Sequence, residues 1–172
     1  MRNFIIFLLV LGAIGYFVQS RVSNKNTDPA EATGPITNPV YAEVRFRADI
    51  GSREFHLVAA AQGRDHADCQ RMIGDLPDKM QLGRRPDGTP LWKLESSECM
   101  SQLDERTERL FNNKPTFVNY VAASPGAPDE REVRMIIWGV TAQEGELVCD
   151  GLSRMKQRWK GSVTCIRALP SQ

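Results

Sequence analysis

The chain has 172 residues, of which 41% are hydrophobic and 25% are charged, and its 22 basic residues nearly balance its 21 acidic residues. This composition is typical of a globular protein and excludes a collagen, a coiled coil, a charged disordered tail and a multi-span membrane protein. Because a neutral protein gains little from counterion release, we expect no nucleic-acid partner.

Residues 4–18 form an unbroken apolar run that follows Arg2. At roughly 1.5 Å per residue this run reaches about 22 Å as a helix, so it crosses the ~30 Å hydrocarbon core only if the flanking polar residues lie at the interfaces. The run predicts a signal-anchor in residues 1–20, with one pass through the inner membrane and the carboxyl-terminal domain in the periplasm. The alternatives are a signal peptide cleaved near Ser20, which would release a periplasmic or secreted protein, and a buried amino-terminal helix.

Residues 21–40 are rich in Ser, Asn, Thr, Ala and Pro and contain almost nothing apolar enough to bury. Polar segments that contain proline are semi-extended spacers rather than folded elements. We therefore expect a linker that joins the membrane segment to a single folded domain in residues 41–169.

The first half of this domain predicts a hairpin, a helix and a strand. Apolar and charged residues alternate with a period of two over residues 43–50, which is typical of a half-buried strand. A Gly-Ser turn follows, and the alternation continues on the return. Asp65 can cap a helix that ends at Pro77, and residues 91–100 can return as a strand.

The second half repeats this order. Residues 117–123 and 133–137 predict two further strands, joined by a loop that contains Pro and Gly. The segment from Thr141 to Glu144 is a capping box, which opens an amphipathic helix. Residues 162–169 then form a short strand.

Short sequence matches between the two halves, such as Arg53-Glu54 and Arg131-Glu132, suggest that the halves are copies of one unit. Between them, the segment from Ser101 to Asp104 can cap an extra short helix. The predicted fold is α+β: an antiparallel sheet with helices on one face, built from two similar β-hairpin-α-β halves and preceded by an amino-terminal membrane helix.

Four cysteines behind an export segment predict disulfides, because an oxidising compartment lets them persist. Of the three possible pairings, the repeat favours Cys69 with Cys99 and Cys149 with Cys165. Geometry supports the second pair, since about 16 Å of helix after Cys149 is followed by roughly 10 Å of returning strand. The first pair depends on a strand register that the sequence leaves open. The chain contains no Cys-x-x-Cys motif, so a structural role is favoured over a redox dithiol.

The sequence contains none of the common catalytic, phosphate-binding or dinucleotide-binding motifs. Its two histidines, His56 and His66, lie in no recognisable catalytic setting. The segment from Asp65 to Cys69 supplies too few ligands at suitable spacing for a metal site. We therefore expect no catalytic residue, metal or cofactor.

Two functions from different classes remain. The first is a non-catalytic domain that faces the periplasm and binds a protein or another component of the bacterial envelope, for example as an inhibitor or immunity protein. The alternative is a small periplasmic or secreted hydrolase that uses paired carboxylates. Its candidate residues are Glu95, Glu98, Glu144 and Glu146. Two carboxylates facing each other in a cleft, one with a raised pKa, would favour the hydrolase, whereas exposed apolar side chains would favour the binding domain.

Overall fold

The computed structural model describes residues 36–50, 52–74, 87–89, 91–127, 130–155 and 160–169. The predicted anchor in residues 4–18 lies outside these ranges, as does the predicted linker up to residue 35. Within the described ranges, no helix has the length and apolar character needed to cross a membrane. The anchor therefore stays a prediction.

The described chain forms a mixed α+β fold with one antiparallel sheet. Its strands are β1 (Val40–Ile50), β2 (Arg53–Gly63), β3 (Trp92–Met100), β4 (Tyr120–Ser124), β5 (Val133–Trp138) and β6 (Ser162–Ile166). Its helices are α1 (His66–Gly74), α2 (Glu105–Phe111) and α3 (Ala142–Met155). The strand order across the sheet is β3-β1-β2-β5-β4-β6.

The two halves of the domain share their order of elements. Strands β1 and β2, helix α1 and strand β3 follow one another in the first half, and β4, β5, α3 and β6 do so in the second. Each third strand pairs with the first strand of its own hairpin, so β2 and β5 meet at the centre. At that centre Val58 pairs with Ile136, and these residues are as far apart in sequence as Arg53 and Arg131. A common origin of the halves stays a prediction, with which this arrangement agrees.

One face of the sheet carries the main core, beneath α1 and α3. Strand alternation places Phe46, Leu57, Val121 and Ile137 on this face, where they form one buried cluster with Val148 of α3. Burial of such side chains is the main favourable contribution to folding, at roughly 25 cal/mol per Å² of apolar surface. The prediction of helices on this face is therefore confirmed for α1 and α3.

Helix α2, the extra helix between the halves, lies on the opposite face, so the prediction of helices on one face holds for α1 and α3 and does not extend to α2. The central strands are buried on both sides, so their second face also needs cover. Leu110 of α2 packs there against Tyr120, Ala122 and Ile136. Phe111 makes an edge-to-face ring contact with Tyr41, with centroids 5.1 Å apart.

A buried arginine, Arg134 of β5, joins α2 to the sheet. Its side chain is fully buried, and its guanidinium lies 5.0 Å from the ring centroid of Phe111. The Nε atom donates to the carbonyl of Leu110 at 2.8 Å, and Nη2 donates to that of Phe111 at 3.3 Å. Further donors reach the carbonyl of Ala123 and the carboxylate of Glu132. A cation thus satisfies carbonyls at the carboxyl end of α2, where the helix dipole favours it.

Both disulfides that the sequence favours are present. Cys69 and Cys99 join α1 to β3, and Cys149 and Cys165 join α3 to β6. Each bridge therefore fastens a helix to the outer strand of its own half. Two disulfides fit an oxidising, extracytoplasmic location.

Two ion pairs connect the halves to each other, and in each an arginine of one half binds a helix of the other. Arg53, which begins β2, forms an ion pair at 2.9 Å with Glu144 in the first turn of α3. Arg131, just before β5, forms one at 3.3 Å with Asp68 in the first turn of α1. Each helix is thus held at its amino end by an arginine from the other half.

Candidate functional site

A cleft of about 400 Å³ opens between α3 and the second half of the sheet. Its interior is apolar and is formed by side chains of β4, β5 and α3. The main contributors are Val121, Met135, Ile137, Val140, Ala142 and Val148. This volume lies within the range of pockets that bind small molecules or single large side chains.

Small residues in the first turns of α3 leave this space open. Ala142 and Gly145 line the cleft, together with Asn119 from the segment before β4. A Cβ atom at Gly145 would lie 3.2 Å from Nδ2 of Asn119, which is closer than a normal contact. The absence of a side chain at residue 145 therefore lets the helix lie close to Asn119 without displacing it.

The rim of the cleft carries an exposed aromatic ring. Phe117 is 91% exposed, which is extreme for a large apolar side chain. Leu169, which is 47% exposed, lies beside this segment, since its N–H donates to the carbonyl of Thr116 at 2.8 Å. The cleft therefore has an apolar rim as well as an apolar interior.

The cleft is also lined by polar side chains whose charges nearly cancel. Asn119 donates from Nδ2 to Glu146 at 3.2 Å and accepts at Oδ1 from the N–H of Ala168 at 2.7 Å. Glu146 forms an ion pair with Arg167. Because the two charges compensate each other, the cleft favours an uncharged apolar group over a free ion.

Glu144 lies in the first turn of α3 but does not line the cleft, and its carboxyl group is held in the ionised form. Two hydrogen bonds from the Arg53 guanidinium, at 2.9 Å each, lower the pKa of this carboxyl group to about 2. Burial opposes this change, and hydrogen bonds from the backbone N–H and hydroxyl of Thr141 assist it. In return, the N–H of Glu144 donates to Oγ1 of Thr141 at 3.2 Å, so the predicted capping box is confirmed.

This pairing predicts a specific pH dependence. Because the folded-state pKa of Glu144 lies below its ordinary value of 4.5, its ionised form stabilises the fold above about pH 5, and this contribution is lost as the pH falls towards 2. We expect Glu144→Gln to lower the melting temperature at pH 7 and to make its decline between pH 5 and 2 shallower. Thermal unfolding at a series of pH values measures both effects. The exposed Glu95→Gln is the control, and equal slopes for wild type and Glu144→Gln would contradict the assignment.

The remaining candidate carboxylates lie elsewhere. Glu95 and Glu98 belong to β3 at the far edge of the sheet, and Glu98 pairs across the strands with Glu43. Glu146, although beside the cleft, is bound to Arg167. The four residues are therefore not brought together as a facing pair.

His56 lies in a charged cluster that sequence reasoning missed. Its Nε2 is 2.6 Å from Glu54, and its Nδ1 is 3.3 Å from Glu95. The two carboxylates face different ring nitrogens and do not converge on one point. Across the described residues, no group of three or more His, Cys, Asp and Glu side chains could hold a metal ion. This cluster is half-exposed and fits a solvated sheet face.

The sequence did not indicate the cleft itself. Residues 117–123 were expected to form a strand, but β4 begins only at Tyr120. The hydroxyl of Thr116 donates to the carbonyl of Val118 at 2.8 Å and turns the chain before the strand. Phe117 is therefore displayed at the rim instead of alternating into the core. The preceding Lys-Pro pair was the only local signal of an irregular entry.

Comparison with known proteins identifies no relative of this chain. No protein-family model matches the chain, and neither a curated protein nor a solved structure matches it significantly. The cleft and its surroundings therefore provide the basis for assigning a function.

Proposed function

We propose that this protein is a non-catalytic binding domain in the bacterial envelope, held at the inner membrane by residues 4–18 and facing the periplasm. It binds a protein partner by accepting an apolar side chain of that partner in the cleft. The observation that carries this proposal is the exposed ring of Phe117 at the mouth of an apolar cavity. Single exposed leucines are common, but an almost fully exposed aromatic beside such a cavity is typical of a binding surface.

The proposed location rests on two independent features. The apolar run in residues 4–18 has the composition of a signal-anchor. The two disulfides would persist in the periplasm, whereas the cytoplasm would keep the thiols reduced. Cleavage near Ser20, with release of the domain, is the alternative that amino-terminal sequencing of the purified protein tests.

A protein partner fits the cleft better than a charged metabolite. The charges of Glu146 and Arg167, which line the cleft, are paired with each other, so a free ion would have to displace an existing contact. Aromatic and aliphatic anchors that fill a pocket supply most of the affinity in protein interfaces. The exposed Phe117 and Leu169 can pack around such an anchor and exclude water from it.

Among the described residues, the carboxyl groups whose pKa is clearly shifted give the hydrolase alternative no support. A general acid needs a raised pKa. Hydrogen bonds from Thr107 lower the pKa of Asp104. Burial raises the pKa of Asp68, but the N–H of Arg64 and the guanidinium of Arg131 outweigh it and lower the pKa. Together with Glu144, these groups are all held in the ionised form.

Site-specific photo-crosslinking in the native host tests the proposal. A photoreactive phenylalanine derivative at position 117 of the full chain is expected to give a discrete adduct of higher mass. The same derivative at position 94 is the control, because Leu94 is an exposed apolar residue on the distant strand β3.

A blocking variant sharpens this test. Ala142→Trp places an indole at the cleft from an exposed position, and we expect it to reduce the adduct at position 117 by about fivefold or more. The fold is checked by the absence of free thiols. Lack of an adduct at position 117, the same adduct from position 94, or an adduct insensitive to Ala142→Trp would contradict a binding role of the cleft.

A further inference from the structure

The two outer strands of the sheet differ in how open they are to pairing. Each strand inside the sheet has a neighbour on both sides, whereas β3 and β6 pair only with β1 and β4 among the described strands. An outer strand presents a row of N–H and C=O groups that can pair with another chain. Natural proteins usually protect such an edge with charged side chains, bulges or cover.

The β3 edge carries this protection. Its pairing with β1 is interrupted by a register shift between Arg45 and Phe46, which is typical of a bulge. Charged residues lie along it at Lys93, Glu95 and Glu98, and all three are exposed. Bulges and charges of this kind disfavour the addition of a further strand.

The β6 edge carries neither device. It pairs with β4 in a continuous register from Ser162 to Ile166. None of its residues is charged, and none is proline. Its sequence, Ser-Val-Thr-Cys-Ile, is rich in residues that favour an extended chain. Of the two edges, β6 is therefore the one that can accept another strand.

The β6 edge is also held rigidly. Cys165 is bonded to α3 through Cys149. At the start of the strand, the Glu130 carboxylate accepts hydrogen bonds from the N–H groups of Lys160 at 2.7 Å and Gly161 at 3.1 Å. At its end, Ala168 is bound to Asn119. A template that is already ordered loses little conformational entropy when a partner binds.

The position of β6 connects this edge to the cleft. The strand continues directly into Arg167 and Ala168, which line the cleft. A segment that pairs along β6 and continues past Ile166 therefore reaches the residues at the cleft. An apolar side chain of this continuation can enter the cavity while the preceding part of the segment pairs with the β6 edge.

We propose that β6 binds an extended segment of the protein partner as an additional strand, and that this segment places one apolar side chain in the cleft. The inference rests on the proposed function and specifies how the partner is recognised. Backbone pairing supplies affinity, and the cavity selects the apolar residue. We expect the residues of the partner segment that pair with β6 to be uncharged, because the β6 edge carries no charge.

Crosslinking at a second position tests this mode of binding. Thr164 lies in the middle of β6 and is exposed. With the photoreactive residue at position 164 of the full chain, we expect an adduct of the same mass as at position 117. An adduct at 117 without one at 164 would overturn strand addition and leave the proposed function standing. Absence of both would overturn both, and an adduct with the mass of two chains would identify a second copy and reject a different protein as the occupant.

Charge at the edge provides the matched variants. Ser162→Lys with Thr164→Lys adds two cations to β6, and we expect it to lower the adduct yield at position 117 by about fivefold or more. Ser96→Lys with Ser97→Lys adds the same charges to the exposed middle of β3 and should leave the yield unchanged. Free-thiol counts and circular dichroism show that both variants fold. Equal effects of the two pairs, or no effect of the β6 pair, would reject the proposal.

Discussion

Replacing the buried Arg134 by methionine is expected to lower the free energy of unfolding by about 3–5 kcal/mol. Methionine keeps an unbranched apolar stem but removes every donor of the guanidinium. The carbonyl of Phe111 and the carboxylate of Glu132 would then lose these donors, whereas the carbonyl of Leu110 keeps hydrogen bonds from the N–H of Asn113 and the hydroxyl of Tyr120. Each buried polar group left unsatisfied costs about 1–3 kcal/mol. Urea unfolding followed by tryptophan fluorescence measures the change.

A control in the same helix separates this effect from loss of charge. Arg109 lies in the last turn of α2 and is exposed, so Arg109→Met should change stability by no more than about 0.5 kcal/mol. Similar losses in both variants would mean that the buried hydrogen bonds of Arg134 do not hold α2 on the sheet. A loss confined to Arg134→Met supports them.

Removing the Cys69–Cys99 disulfide by a double replacement with alanine is expected to destabilise the fold by about 3–4 kcal/mol. The bridge closes a sequence separation of 30 residues, and it joins α1 to the outer strand β3. The chain-entropy argument gives about 3 kcal/mol for the Cys149–Cys165 bridge, which closes a separation of 16. Unfolding with and without a reducing agent measures both.

The two bridges serve as controls for each other. A variant that lacks one disulfide should lose, on reduction, only the contribution of the other. If reduction leaves the unfolding midpoint of the wild type unchanged, the disulfides do not stabilise the domain. The unreduced protein should show no free thiol among its four cysteines, since all are paired.

Local patterns in the sequence were sufficient to predict most of the secondary structure. Asp104 caps α2 by accepting from the N–H groups of Arg106 and Thr107, and Asp65 accepts from the N–H of Asp68 at 2.7 Å. Such contacts involve neighbours in sequence and can be recognised from residue type and spacing. The hairpin of β1 and β2 likewise follows from strict alternation and a two-residue turn.

The side of the sheet on which α2 lies could not be predicted in this way. It depends on the pairing of β2 with β5, which makes the central strands interior and buries Ile136 on the second face. Long-range pairing of this kind leaves no local signal. Arg134, charged and in the middle of an apolar strand, even indicates an exposed face, because arginine is rarely buried.

The cleft was beyond prediction for the same reason. Its walls come from the segment before β4, the first turns of α3 and the residues after β6. Each contributes only a few ordinary residues, such as Asn119, Gly145 and Arg167. The contact between His56 and Glu95, 39 residues apart in sequence, is likewise formed only by folding. Residues whose role depends on contacts formed only in the folded protein cannot be recognised individually in the sequence.

The crossed attachment of the two helices has a consequence for how the domain opens. Helix α1 is covalently bonded to its own half through Cys69. At its amino end, however, Asp68 is paired with Arg131 of the other half. Helix α3 is attached in the same way through Cys149 and Arg53. If either half unfolds, the helix of the other half loses the arginine that is paired with it at its amino end. Release of either half should therefore weaken the attachment of the other helix, which couples the opening of the two halves.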